Sequence, residues 1–275
     1  MATIAERLTG REPAIDHLSG TPRAGAIDRW IYVFTAASFI LFVLLGFVPD
    51  SLEKIAAVEA GQRAPFPLVL HFHAVLMGSF MLLLLAQTSL VATGRCDLHR
   101  RLGLVAMVLM PALVVVGFIL IPTIYHQVWD AAQVAPPEAA GQLRALVSRL
   151  ENIQLLQIRI GILFPLFIAI ALIARGRDAG LHKRMMILGT AVALPAAFDR
   201  IPWLWSSLPG NPFTADLYPL LAVAPMFAWD VIRNRRVHRA YWLWLAISLP
   251  FAIAVHALWD TPGWHAIARS LMNVG

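Results

Sequence analysis

Long apolar runs alternate with short polar breaks along most of this chain. About 20 apolar residues suffice to cross a hydrocarbon layer as an α-helix. Seven windows meet or approach that length: Trp30–Val48, Pro67–Thr93, Leu102–Thr123, Ile153–Ala174, Met185–Trp205, Leu217–Ile232 and Tyr241–Trp259. The pattern predicts an all-α, polytopic transmembrane bundle of seven helices over residues 30–260. A polar tail, 1–29, precedes it, and a short tail, 261–275, follows. Between the third and fourth windows, Pro136, Pro137 and Glu138 read as a helix start. Leu143, Leu146, Val147 and Leu150 then recur at helical spacing. An amphipathic helix near 137–152, lying at the outer surface and running into the fourth span, is the expected result.

Composition agrees. The chain is 59% hydrophobic and 14% charged, against about 25% charged residues in a soluble domain. That excludes a disordered chain and an ordinary soluble enzyme. The single cysteine, Cys96, excludes a disulfide framework. The net charge of +6 would suit nucleic acid in a soluble domain, but here the basic residues sit in turns between apolar windows. Nucleic acid is therefore not an expected partner. Of the 22 Lys and Arg, fifteen fall in the N-terminal tail and in the turns after windows two, four and six. Positive charge stays on the cytoplasmic side, so the expected N-terminus is cytoplasmic and the C-terminus periplasmic. No apolar core precedes Trp30, so no cleavable signal is expected. Multi-pass residence in an inner membrane follows, with the bilayer as partner and anionic lipid head groups near the basic turns.

Those turns repeat. Leu98-His99-Arg100-Arg101 resembles Leu181-His182-Lys183-Arg184, and Val237-His238-Arg239 is a fainter third copy. Each leads into a window that contains a proline (Pro111, Pro195, Pro250). One leading helix plus three like-oriented hairpins is the implied architecture. The turns read chiefly as orienting charge, and alternatively as an anion or head-group site. The string Leu70–Gly103, with His71, His73, Gln87 and Leu98-His99-Arg100-Arg101-Leu102-Gly103, looks like a group of uncharacterised bacterial multi-pass membrane proteins. The resemblance spans windows two to five and implies a bacterial inner-membrane protein, with no activity attached.

Ionisable groups in hydrocarbon are costly and mark candidate sites. With the expected topology, His71, His73, His126, Arg159, Asp199, Arg200, His256 and Asp260 all fall toward the outer ends of their spans, while the inner halves carry almost nothing but Gln87. A polar pocket open to the periplasm follows. His71 and His73 point about 200° apart on a helix, and His73 continues an inward stripe of Met77, Phe80, Leu84 and Gln87. His73 facing His256 would suit a bis-histidine haem b. A transition metal could add His71, His126 or Asp260, the last four residues from His256. Arg159 needs a counter-charge, with Asp199 the nearest by depth and Asp216 or Glu151 as alternatives. Gln154 and Gln157 add polar lining on the same helix.

The leading expectation is a haem- or metal-binding redox protein whose outer site meets a lipophilic substrate such as a quinone. The alternatives are a small-solute permease, a zinc-dependent intramembrane hydrolase and a non-catalytic accessory subunit. A retinal pump is not expected, because a Schiff base needs a lysine inside the last span. The two lysines, Lys54 and Lys183, lie outside the windows.

Overall fold

A computed structural model describes residues 15–274. The first part of the polar tail, residues 1–14, and Gly275 lie outside the described residues. The described part is all-α, with six helices long and apolar enough to cross a membrane. They are α1 (Ala26–Glu59), α2 (Leu68–Ala92), α3 (Cys96–Val134), α4 (Pro137–Ala174), α7 (Phe213–Asn234) and α8 (Arg239–Leu258). Between α4 and α7 lie α5 (Ala179–Ala191) and the single turn α6 (Pro195–Phe198); α9 (Pro262–Leu271) closes the chain.

The exterior is apolar. Phe34, Leu82, Val108, Ile173, Trp242 and Ile253 are all exposed. Lipid accepts such a surface because each helix satisfies its own backbone groups. The interior centres on α5, where Arg184, Met185, Ile187, Leu188 and Ala191 have no solvent exposure. α4, α7, α8 and α1 pack around it.

The window Met185–Trp205 is the one that does not form a long helix. The ring of Pro195 clashes with the carbonyl four residues back, at Ala191, and cannot donate to it. The helix accordingly stops at Ala191. Pro202, Pro209 and Pro212 then keep residues 199–212 largely irregular. The segment still travels the length of the bundle. Lys183 Nζ donates to the Ser19 carbonyl at 2.9 Å, beside the start of α1. Arg200 lies 3.4 Å from Asp50, toward the end of α1.

α3 and α4 are longer than their windows. With 39 and 38 residues, each runs to nearly 60 Å at about 1.5 Å per residue. The segment 137–152 is the first part of the continuous α4, collinear with the span. Its Val147 packs against Tyr125 and Ala132 of α3, and Met272 and Val274 pack onto the same cluster. The tail beyond 261 is mostly helical, and α9 packs along α4.

Close approach needs small residues at two places. A Cβ on Gly189 would meet Phe167 Cβ at 2.9 Å, and one on Gly46 would meet the Ala197 carbonyl oxygen at 2.2 Å. The second contact is with backbone, which cannot swing aside. Gly46→Ala is therefore expected to destabilise by about 1–3 kcal/mol, read as a lower unfolding temperature in detergent. An unchanged temperature would show that α1 and α6 can separate freely.

Candidate functional site

Polar chemistry gathers at both ends of the bundle. At the end where α1 begins, Arg184 of α5 is fully buried. It donates from Nε and Nη2 to the two carboxylate oxygens of Asp230 at 2.5 and 2.7 Å, and from Nη1 to Asp16 at 2.9 Å. Tyr241 and Asn234 also donate to Asp230, at 2.7 and 2.6 Å, and Lys183 pairs with Asp16 at 2.7 Å. Beside this network, Asp28 is held by Arg233 at 2.8 and 2.9 Å and by the Trp229 indole at 2.9 Å. Arg239 pairs with Asp178.

This overturns the expectation that the inner halves are nearly free of costly groups. Asp28 and Asp230 are 2% and 0% exposed. The turn residue Arg184, read from sequence chiefly as orienting charge, is structural core. The signal was available: Asp230 is an acid just ahead of the basic run Arg233-Asn234-Arg235-Arg236, and a carboxylate there anticipates a buried partner.

The repeated turns converge at this end. The ring centres of His99 and His182 lie 6.3 Å apart, with the ring planes at 76°. Gly180, two residues before His182, lies against His238. A cavity of about 580 Å³ is lined by His99, His182, Arg100, Lys183, Gln87 and Phe80, among others. Arg100 pairs with Asp97 at 3.0 Å, and Arg101 is exposed.

At the opposite end, Arg159 donates to Asp216 at 2.5 Å, and His256 Nε2 meets the other oxygen of that carboxylate at 2.8 Å. The counter-charge of Arg159 is thus Asp216, not Asp199. Asp199 instead accepts from Ser206 at 3.0 Å and from Arg149 at 3.4 Å. Asp199, directly after α6, thus meets α4 ten residues before Arg159, at Arg149. Arg200 lies over the Phe47 ring at 4.7 Å. About two turns earlier than Arg159 on α4, Glu151 is fully buried. It accepts from Tyr125 at 3.0 Å and from Arg269 at 2.8 Å, and meets His265 at 2.6 Å. His265 lies in the segment expected as a short tail, 261–275, and is not among the expected site residues. Gln154 is buried with neither amide atom partnered, and Gln157 is half-buried.

The remaining histidines are not gathered. His71 is exposed and meets the Phe66 ring edge-on. His73 faces α3 beside Gly117, its Nδ1 without a partner. His126 stands against Tyr125. Asp260 does not share a face with His256, because α8 ends at Leu258 and Asp260 adopts φ 57°. It accepts from Asn152 at 3.0 Å and lies 3.1 Å from His265. Those contacts hold its carboxyl below the usual carboxylate range. Among the described residues, no three His, Cys, Asp or Glu side chains come together as a metal-holding group.

A second cavity, about 650 Å³, opens between α4, α7 and α8. Arg159, Asp216 and His256 line it, with Trp244, Ser248 and Leu163. Trp244 Nε1 and Ser248 Oγ are buried without a protein partner. Leu220, Leu245, Leu249 and Ile253 line the same cavity and are 42–60% exposed. The cavity therefore opens sideways onto the apolar surface.

The fold and its sites have the character of a multi-pass helical membrane protein with polar chemistry at both ends. No protein family, curated protein or solved structure matches this chain.

His238 caps α8 by accepting from the Ala240 N–H at Nδ1, 3.1 Å, which requires a neutral ring. Burial, together with the positive charge of Arg184, pushes its pKa down to about 4, against the pull of Asp230, Asp178 and Asp16. The unfolded chain takes up this proton near pH 6.5 and the folded chain only near pH 4. Stability is therefore expected to fall as pH drops across that window. Asp16, depressed by Arg184 and Lys183 against its own burial, contributes a loss only at lower pH. His238→Asn keeps a capping side chain and removes the titration. It should flatten the unfolding-temperature profile between pH about 6.5 and about 4; an unaltered slope would contradict the assignment.

Proposed function

We propose that this chain is a multi-pass inner-membrane protein that binds a lipophilic molecule with an oxygen-bearing head, of the quinone class, in the cavity between α4, α7 and α8. One observation carries this reading: a cavity open to the apolar exterior ends on a linked arginine, carboxylate and imidazole. An apolar tail suits Leu245, Leu249 and Ile253. A carbonyl or hydroxyl head suits His256, which can exchange a proton with it, while Asp216 orients the ring. The unpartnered Trp244 N–H and Ser248 hydroxyl are further groups a polar head would satisfy. The solute-permease alternative finds less support, since the lining between the two ends is apolar. Retention of the haem or metal element of the expectation at His73 and His256 has no geometric support, since they lie on separate contacts.

The binding test uses a short-chain alkylated benzoquinone, titrated against the purified protein while tryptophan fluorescence is followed. Saturable quenching that is reduced in Trp244→Phe is expected. His256→Gln should weaken binding about tenfold, roughly 1.4 kcal/mol. Non-saturable quenching, or identical titrations in both variants, would sink the proposal.

The same reading includes seven crossings with a cytoplasmic N-terminus. It is supported by the passage of α5 and α6 from the Ser19 end to the Asp50 end. Cys96 is exposed and should react with an impermeant thiol reagent only from the cytoplasmic side. Asn273→Cys in a Cys96→Ser background should react only from outside. Labelling of both positions from one side would mean six crossings.

A further inference from the structure

The two best copies of the repeated turn put their histidines into one cavity with their ring protons already assigned. Nδ1 of His99 donates to the Gln87 carbonyl at 3.3 Å, and Nδ1 of His182 to the Ala171 carbonyl at 2.8 Å. A carbonyl only accepts, so each neutral ring carries its proton on Nδ1 and a bare lone pair on Nε2. Neither Nε2 makes a hydrogen bond among the described residues. Pinning Nδ1 to a main-chain carbonyl is how proteins orient an imidazole for a metal.

The spacing fits two ligands on one metal. A metal–nitrogen bond of about 2 Å sets the centres of two trans imidazoles about 6 Å apart. The observed separation is 6.3 Å, with the ring planes at 76°. A bare ion is a poor match. No further His, Cys, Asp or Glu completes a metal-holding group among the described residues, and Arg100, Arg175 and Lys183 border the cavity. An iron porphyrin matches each feature. It takes two axial nitrogens, buries an apolar macrocycle and carries carboxylates that seek cations. The cavity, about 580 Å³, offers Phe80, Leu84 and Met186 as apolar wall. Gly103, Gly176 and Gly180, without side chains, also line it. The Arg175 guanidinium makes no hydrogen bond or ion pair among the described residues. Three further lining residues, Thr21, Tyr32 and Gln87, carry a buried polar oxygen with no protein partner.

We propose that this cavity binds haem, with Nε2 of His99 and Nε2 of His182 as its two axial ligands. The site is separate from the quinone-class cavity and stands or falls independently of it.

The full chain, produced in cells fed a haem precursor and purified in detergent, supplies the test. Pyridine haemochrome and metal analysis should give about one haem per chain. The reduced spectrum should be that of a six-coordinate, low-spin haem. His99→Ala and His182→Ala should each lose most of the haem, while His73→Ala and His256→Ala keep the parental spectrum. His182→Met retains a ligating atom. It should shift the absorption bands and raise the midpoint potential, as histidine–methionine ligation does, a change that mere misfolding would not produce. A colourless protein that also takes up no added haemin would overturn the proposal. So would stoichiometric copper or zinc without haem, or a parental spectrum in both His99→Ala and His182→Ala.

Discussion

The guanidinium of Arg184 has no solvent exposure, and the carboxylate beneath it has none either. Removing such an ion from water costs several kcal/mol even after relaxation, and leaving one partner unpaired costs about 3–5 kcal/mol. That penalty is the constraint on which the bundle's arrangement depends. Asp16 must come in from the N-terminal segment, Asp230 from the end of α7 and Tyr241 from the start of α8. The N-terminal segment and the α7–α8 turn, both far in sequence from α5, are thereby fixed around a helix of only 13 residues. With 13 residues, α5 is too short to cross a membrane by its own length. It is held by this network at one end and by close packing at Gly189 and Gly46 along its path.

A second consequence is the shape of the half formed by α7 and α8. Both are tied to α5 at the Asp230 end, and Phe227 packs on Tyr241 there with ring centres 4.8 Å apart. Toward the other end, Arg159 of α4 reaches Asp216, and that carboxylate reaches His256. The cavity lies between these two polar fastenings. A space walled by the exposed Leu245, Leu249 and Ile253 suits an apolar surrounding better than water.

Much of the architecture was legible in the sequence. Six of the seven apolar windows are long helices, and the inward stripe from His73 through Phe80 and Leu84 packs as its spacing suggested, with Phe80 and Leu84 buried. Window length depends on local composition alone, so it survives. The interruption at Pro195 was visible as a residue, but prolines inside α3, α4, α7 and α8 leave those helices continuous. Only tertiary packing distinguishes a kink from a stop. Charge partners were the least legible. Depth along a span placed Asp199 beside Arg159, whereas direction around the helix gave the contact to Asp216. The four-residue spacing of His256 and Asp260 likewise could not show that α8 would end before Asp260.

The repeated turns show how one motif divides into different chemistries. At His99 and His182, Nδ1 donates to a carbonyl of the preceding helix, Gln87 of α2 or Ala171 of α4. At His238, Nδ1 accepts from the N–H of Ala240, two residues ahead. A neutral imidazole has one donor and one acceptor nitrogen, so these bonds choose opposite tautomers. The first two rings keep Nε2 as a lone pair facing outward from their own anchors. The third carries its proton there and is committed to capping its helix beside Arg184. Sequence similarity grouped all three as equivalent basic turns. The hydrogen bond made by the other ring nitrogen separates two ligand-ready histidines from one that stabilises the fold, and it does so before any ligand is considered.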